Sequence, residues 1–159
     1  MRKGAIILDI ILLVLVSSGC IGGGQTTHIE KGNSYHKEGD YAKAIAEYDK
    51  EIELDPKSAW AYHNRGYTYS LLGEYTKAIL DLDKAIELDP NYVLAYINRG
   101  DIYSGLEEYT KAISDYDKAV GIDPKYAQTY INRGYAYSKI GESEKAQKDY
   151  DKAASLDPK

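Results

Sequence analysis

The sequence predicts an all-α fold assembled from four copies of one helix-turn-helix unit. Three observations carry that prediction. Asp-Pro stands at residues 55–56, 89–90, 123–124 and 157–158, each pair 34 residues after the last. Gly32, Gly66, Gly100 and Gly134 keep the same spacing, as do Ala44, Ala78, Ala112 and Ala146. Between these markers, apolar and small residues recur at steps of three and four, the period of one helix face. Several registers in step define a tandem array, in which no unit buries its apolar face alone and stacking supplies the core. The composition, 28% charged and 43% hydrophobic, is that of a globular chain with enough apolar material for one domain. Its aromatic residues are 17 Tyr and one Trp with no Phe, a choice suited to half-buried positions with one polar end.

The elements follow in order. Arg2 and Lys3 open the chain, residues 4–16 are apolar apart from Asp9, and Ser17, Ser18 and Gly19 lead to Cys20. That is the three-part plan of a signal peptide over residues 1–19. Its apolar stretch falls short of the roughly 20 residues that a membrane-crossing helix needs. Residues 20–25 are rich in glycine and read as a flexible tether. The four units are placed at 25–58, 59–92, 93–126 and 127–159. In the second, Tyr62, Gly66 and Tyr69 form one helical stripe, which Leu72-Gly73 ends. Tyr75, Ala78, Ile79, Leu82, Ala85 and Ile86 then mark a second helix, which Pro90 stops because proline has no amide hydrogen to continue it. Pro56 and Pro124 do the same in the neighbouring units. Gly66, Gly100 and Gly134, with Ala78, Ala112 and Ala146, are small where the two helices of a unit approach closely. The first unit is the least regular, with Glu51 where the others have Ala85, Ala119 and Ala153. No polar capping helix follows the fourth unit in the sequence, so its stacking face is expected to be open.

With the period of 34 and Tyr62, Gly66, Tyr69, Ala78, Ala85 and Pro90 in place, residues 25–159 resemble the tetratricopeptide (TPR) repeat. The resemblance implies antiparallel helix pairs stacked into a right-handed superhelix, with the first helix of each unit lining a concave groove. It further implies that the second, fifth, sixth, ninth and twelfth residues of each unit face that groove. Those include Asn33 and His36 in the first unit, and Trp60, His63, Asn64 and Tyr67 in the second. The third contributes Leu94, Asn98 and Asp101, and the fourth Gln128, Ile131, Asn132 and Tyr135. Asn64, Asn98 and Asn132 form an amide ladder suited to the backbone of an extended peptide. Trp60, Tyr67 and Tyr135 add aromatic faces of the kind enriched at binding hot spots. The expected ligand is therefore a protein or peptide. The clamp with which some TPR proteins hold a C-terminal carboxylate is not matched, because Ile29, Leu94 and Asn98 stand at its cationic positions.

The N-terminal pattern resembles a lipoprotein signal, archaeal ones in particular, in which the cysteine after the cleavage site carries the lipid. On that resemblance Cys20, the only cysteine, is the lipidation site, and the protein is expected at the extracytoplasmic face of the cell membrane. Two alkyl chains on one residue anchor stably where one is marginal.

Other functions are disfavoured by the residues. A net charge of −5 argues against nucleic acid, which needs a basic stripe. His28, His36 and His63 make no metal-ligand spacing, Gly22–Gly24 lack the context of a phosphate loop, and the carboxylates repeat with the array where an active site would occur once. No catalysis, cofactor or metal is expected. Arg65, Arg99 and Arg133 recur in Asn-Arg-Gly, and Asp49, Asp83, Asp117 and Asp151 recur late in the second helices. These are read as ion pairs holding the units in register. The alternative to a groove-binding adaptor is a scaffold that self-associates, for instance as a homodimer, through the open C-terminal end.

Overall fold

The computed structural model describes residues 27–157. The signal peptide, Cys20, the tether and Pro158 lie outside the described residues. Within them are eight helices and no strand: α1 (His28–Glu38), α2 (Tyr41–Leu54), α3 (Ala59–Leu71), α4 (Tyr75–Leu88), α5 (Val93–Gly105), α6 (Tyr109–Ile122), α7 (Ala127–Lys139) and α8 (Ser143–Leu156).

Two kinds of turn set the period. Inside each unit the first helix ends in a pair of backbone bonds that satisfies its last carbonyls: Gly73 N–H donates to Ser70 O and Glu74 N–H to Tyr69 O, both at 3.0 Å. This motif needs a left-handed residue, and Gly39, Gly73 and Gly141 supply it at φ 81°, 75° and 82°. In the third unit the same place is held by Glu107 at φ 62°, a strained conformation for a residue with a Cβ. Between units, Asp55, Asp89 and Asp123 each accept the backbone N–H two residues on, at 3.0 Å, while the intervening proline lacks a donor. The array starts with a capping box: Thr27 Oγ1 accepts from Glu30 N, and Glu30 Oε2 accepts from Thr27 N.

Helices pack as successive neighbours, and every first helix also touches the first helix of the next unit: α1 with α3, α3 with α5, α5 with α7. Among the described residues no second helix touches another second helix. The stack therefore bends with α1, α3, α5 and α7 on its inner wall. The core between layers is built on small residues, with Ala44, Ala78 and Ala112 fully buried in the second helices and Ala61 and Ala95 in the first. Close approach is literal: a Cβ on Gly66 would stand 3.1 Å from the carbonyl oxygen of Ala78. At Gly100 a Cβ would lie 2.7 Å from the Tyr116 ring, which is 1% exposed and passes beneath α5 to reach the inner wall.

Arginine holds the units together. Arg99 binds Asp115 of its own unit through Nε (2.8 Å) and Nη2 (2.6 Å), and Asp83 of the preceding unit through Nη1 (2.5 Å). Arg65 makes the same three bonds to Asp81 and Asp49, and Arg133 to Asp149 and Asp117. The two carboxylates raise each guanidinium's pKa despite its partial burial. Tyr62, Tyr96 and Tyr130 carry these guanidinium groups over their rings at 5.4–5.8 Å. The ion-pair reading of the recurring Asn-Arg-Gly holds for Asp49, Asp83 and Asp117; the bidentate partners Asp81, Asp115 and Asp149 are additional to the acids the sequence singled out, and Asp151 accepts from Gln147 at 2.9 Å instead of an arginine.

Candidate functional site

The inner wall holds two adjoining hollows. One, of about 380 Å³, spans the first three units and is lined by Asn33, His36, Lys37, Tyr48, His63, Asn64, Tyr67, Leu94 and Asn98. The other, of about 250 Å³, is lined by Tyr67, Ser70, Leu71, Tyr75, Asn98, Asp101, Ile102 and Gly105. Tyr67 and Asn98 belong to both, so the two form one continuous surface.

The amides differ from the free ladder that the sequence suggests. Asn64 Nδ2 donates to Asn33 Oδ1 at 3.3 Å, and Asn132 Nδ2 donates to Asp101 Oδ1 at 2.8 Å. Each of these pairs joins the ninth residue of one unit to the sixth of the next. Between the second and third units the ninth residue is Tyr67, which offers no matching acceptor. Asn98 turns instead to His63, donating through Nδ2 to Nε2 at 2.9 Å. Every ladder amide thus gives one donor to an inter-unit bond, and what faces the groove is the remainder.

His63 is placed differently from a groove-exposed side chain. It is 6% exposed, lies face-near Tyr92 with ring centres 4.7 Å apart, and has Nδ1 3.1 Å from both Asn64 Oδ1 and the Tyr92 hydroxyl. A neutral ring with its proton on Nδ1 satisfies both sides, donating to Asn64 and accepting from Asn98. Burial lowers its pKa to about 4, against which the Asn64 bond works only partly. Burial also lowers the pKa of His36, which accepts or donates at Thr68 Oγ1 (3.0 Å) and sits 5.4 Å from the Tyr67 ring.

The aromatic faces are accessible. Trp60 is 57% exposed and stacks on Tyr92 at 6.2 Å, at the rim and outside both hollows. Tyr67 lies between the hollows. Tyr135, 44% exposed, meets Tyr109 edge-on at 6.4 Å and carries Lys139 Nζ 5.1 Å over its ring. Asp101 is exposed, with Oδ1 fixed by the Tyr116 hydroxyl at 2.7 Å as well as by Asn132. The carboxyl's pKa is raised by loss of hydration, and the two hydrogen bonds pull back against that. Sequence reasoning missed Lys37, Tyr48, Leu71, Tyr75, Ile102 and Gly105. Both tyrosines belong to second helices: Tyr48 reaches the groove from behind through a bond of 2.8 Å to Asn33 Oδ1, and Tyr75 is the first residue of α4. For Tyr48 the signal available was the glycine opposite its ring, Gly32, the same pairing that Gly100 makes with Tyr116.

Among the described residues no cluster of three histidine, cysteine or acidic side chains could hold a metal ion, and no helix is long and apolar enough to cross a membrane. A third hollow, of about 800 Å³, opens at the far end of the stack between α7 and α8, where Tyr126, Ile131, Tyr150, Ala153 and Leu156 are among its walls.

Comparisons with known proteins place this architecture. The tetratricopeptide repeat profile matches residues 59–92, 93–126 and 127–159, and a further TPR repeat profile matches residues 32–73. Two crystal structures of MamA are 32% identical to the chain, with TM-scores of 0.77 and 0.75; both cover 81% of this chain, and 75% and 70% of their own. A MamA RS-1 double mutant, 23% identical over 82% of this chain and 74% of its own, has a TM-score of 0.76 and shares the fold. Among curated proteins no sequence match is found. The chain belongs to the tetratricopeptide repeat family and has the architecture of a protein-interaction scaffold.

Proposed function

We propose that this protein is a lipid-anchored adaptor that holds an extended segment of a partner protein in its concave groove, close to the extracytoplasmic face of the membrane. The observation that carries the reading is the continuous inner wall of Tyr67, Asn98 and their neighbours, where aromatic faces alternate with amides that keep unused hydrogen-bonding atoms. Such a surface suits a peptide backbone: flat rings take side chains and carboxamides take N–H and C=O groups. Anchoring rests on the Cys20 pattern, and the short tether, at most about 20 Å from Cys20 to Thr26 at full extension, would keep the groove near the lipid surface.

Affinity capture from native membranes, with wild type beside Trp60→Ala/Asn64→Ala/Asn98→Ala, tests the groove. A partner held by the wild type and lost by the triple variant is the expected result; equal capture by both overturns it. Mass analysis of the mature N-terminus tests the anchor, which requires a diacylated Cys20 and loss of membrane association in Cys20→Ser.

A second reading is favoured by one observation, the hollow between α7 and α8, whose walls are mainly apolar. There the protein would bind its own copy. A two-fold pairing of the C-terminal faces closes the assembly at a dimer. Analytical ultracentrifugation of wild type and Ile131→Lys separates the two. A dimer abolished by the substitution supports self-association, and a monomer in both supports the adaptor.

A further inference from the structure

The ninth residue of each unit contains its own control. In the first unit it is Asn33, and in the third it is Asp101. The two are held identically. Asn33 Oδ1 accepts from the Tyr48 hydroxyl (2.8 Å) and from the Asn64 amide (3.3 Å). Asp101 Oδ1 accepts from the Tyr116 hydroxyl (2.7 Å) and from the Asn132 amide (2.8 Å). A neutral carboxamide oxygen therefore meets both structural demands at this position, and the charge of Asp101 adds nothing that the packing requires.

The charge is also unmatched. Asp81, Asp115 and Asp149 each hold an arginine through both oxygens. Asp101 forms no ion pair among the described residues, and its Oδ2 has no hydrogen-bond partner there. Loss of hydration raises the carboxyl's pKa, and no cation within the stack offsets it. The carboxylate lines the hollow of about 250 Å³ together with Tyr67, Tyr75 and Asn98. Both rings are accessible, at 38% and 43% exposure, so the hollow offers a cation two aromatic groups beside the carboxylate.

We infer that this hollow receives the basic side chain, arginine or lysine, of the segment bound in the groove, with Asp101 as its specificity-determining residue. The inference rests on the groove-binding reading and names the chemistry of its ligand. A single carboxylate does not make a metal site, and no cluster of three ligands is present among the described residues.

The test uses the full chain, as wild type and as Asp101→Asn, on a positional-scanning library of acetylated, amidated decapeptides that includes citrulline and norleucine. Wild type should favour arginine or lysine at one position over citrulline and norleucine by about ten- to a hundredfold, the range of a charge-assisted hydrogen bond. Asp101→Asn should lose that preference while melting no lower than wild type, since Asn33 shows that the amide fits. Asn33→Asp should gain a second basic preference, displaced along the peptide. A wild type that selects peptides without preferring a base, or an Asp101→Asn that keeps the preference, overturns the inference and leaves the groove reading standing. No selection by either protein overturns both. N-acetyl-arginine amide bound as tightly as the selected peptide would replace the peptide by a small-molecule ligand.

Discussion

Arg99→Met tests what holds the units in register. The arginine is 19% exposed and touches two carboxylates of unequal burial: the Asp115 side chain is 7% exposed and Asp83 is 48% exposed. Methionine keeps most of the aliphatic stem over Tyr96 and deletes the charge. The Asp83 pair, in contact with water, contributes roughly 0–1 kcal/mol. Asp115 decides the magnitude, because removing one partner of a buried pair strands the other charge, at about 3–5 kcal/mol. Water reaching the vacated site favours the lower end, near 3 kcal/mol. At about 3–5 °C per kcal/mol for a domain of this size, the melting temperature should fall by roughly 9–15 °C. The assay is thermal unfolding by circular dichroism on wild type, Arg99→Met, Asp115→Leu and the double variant. If the loss is stranded charge, Arg99→Met/Asp115→Leu regains all but about 1 kcal/mol, since an apolar pair replaces an ion pair at little loss. A fall below 3 °C in the single variant, or a double variant as unstable as the single, refutes the reasoning. Arg99 lines neither groove hollow, so peptide selection measured below the melting point should be unchanged. Loss of selection with stability intact would reassign the arginines as an anion-binding ladder.

Three further outcomes are expected. His63 stays neutral in the folded chain down to about pH 4, whereas the unfolded chain protonates it near 6.5; stability is therefore full above pH 6.5 and falls by roughly 3 kcal/mol as pH drops to 4. Denaturant titrations across that window should show the slope in wild type and a shallower one, reduced by the His63 share, in His63→Ile, the residue that Ile97 and Ile131 present at the same place; the lowered pKa of His36 leaves a residual slope. Glu107→Gly relieves the only described non-glycine left-handed residue and should stabilise by about 1 kcal/mol in the same titration. Thr129 is fully buried with its hydroxyl unpartnered where other units have Ala61 and Ala95, so Thr129→Val should stabilise by about 1 kcal/mol and melt higher.

The helices, their turns and their order were legible because each depends on chemistry local to one period. Gly73 supplies a left-handed turn and Pro90 a missing donor wherever they stand. The arginine lattice was legible for a related reason: Arg99 lies sixteen residues from each of its carboxylates, and that offset repeats in the other two triads. The groove was legible only as a set of positions. Asn64, Asn98 and Asn132 are identical in the sequence, yet bond to Asn33, His63 and Asp101 respectively. Which partner each finds is decided one unit away, by whether the ninth residue is an acceptor or a tyrosine. Burial of His63 depends likewise on Tyr92, Asn64 and Asn98 closing on it at once, and no pattern within one helix reports that.

Periodicity and function therefore divide the residues of this chain in a definite way. What recurs along the array has a recurring neighbour, and the structure assigns it to stacking: glycine against a helix and alanine at the layer contacts in all four units, arginine between carboxylates in the last three. A residue that breaks the repeat must either be tolerated at some cost in stability or serve something outside the stack. Glu107 and Thr129 are of the first kind, because each carries strain or an unmet hydroxyl and touches neither groove hollow. Asp101 is of the second, because its hydrogen bonds are those of Asn33 and its charge has no internal partner. The units are thus controls for one another. Replacing a deviant residue by its counterpart in the next unit should raise stability where the deviation is tolerated, and should abolish recognition where the deviation is used.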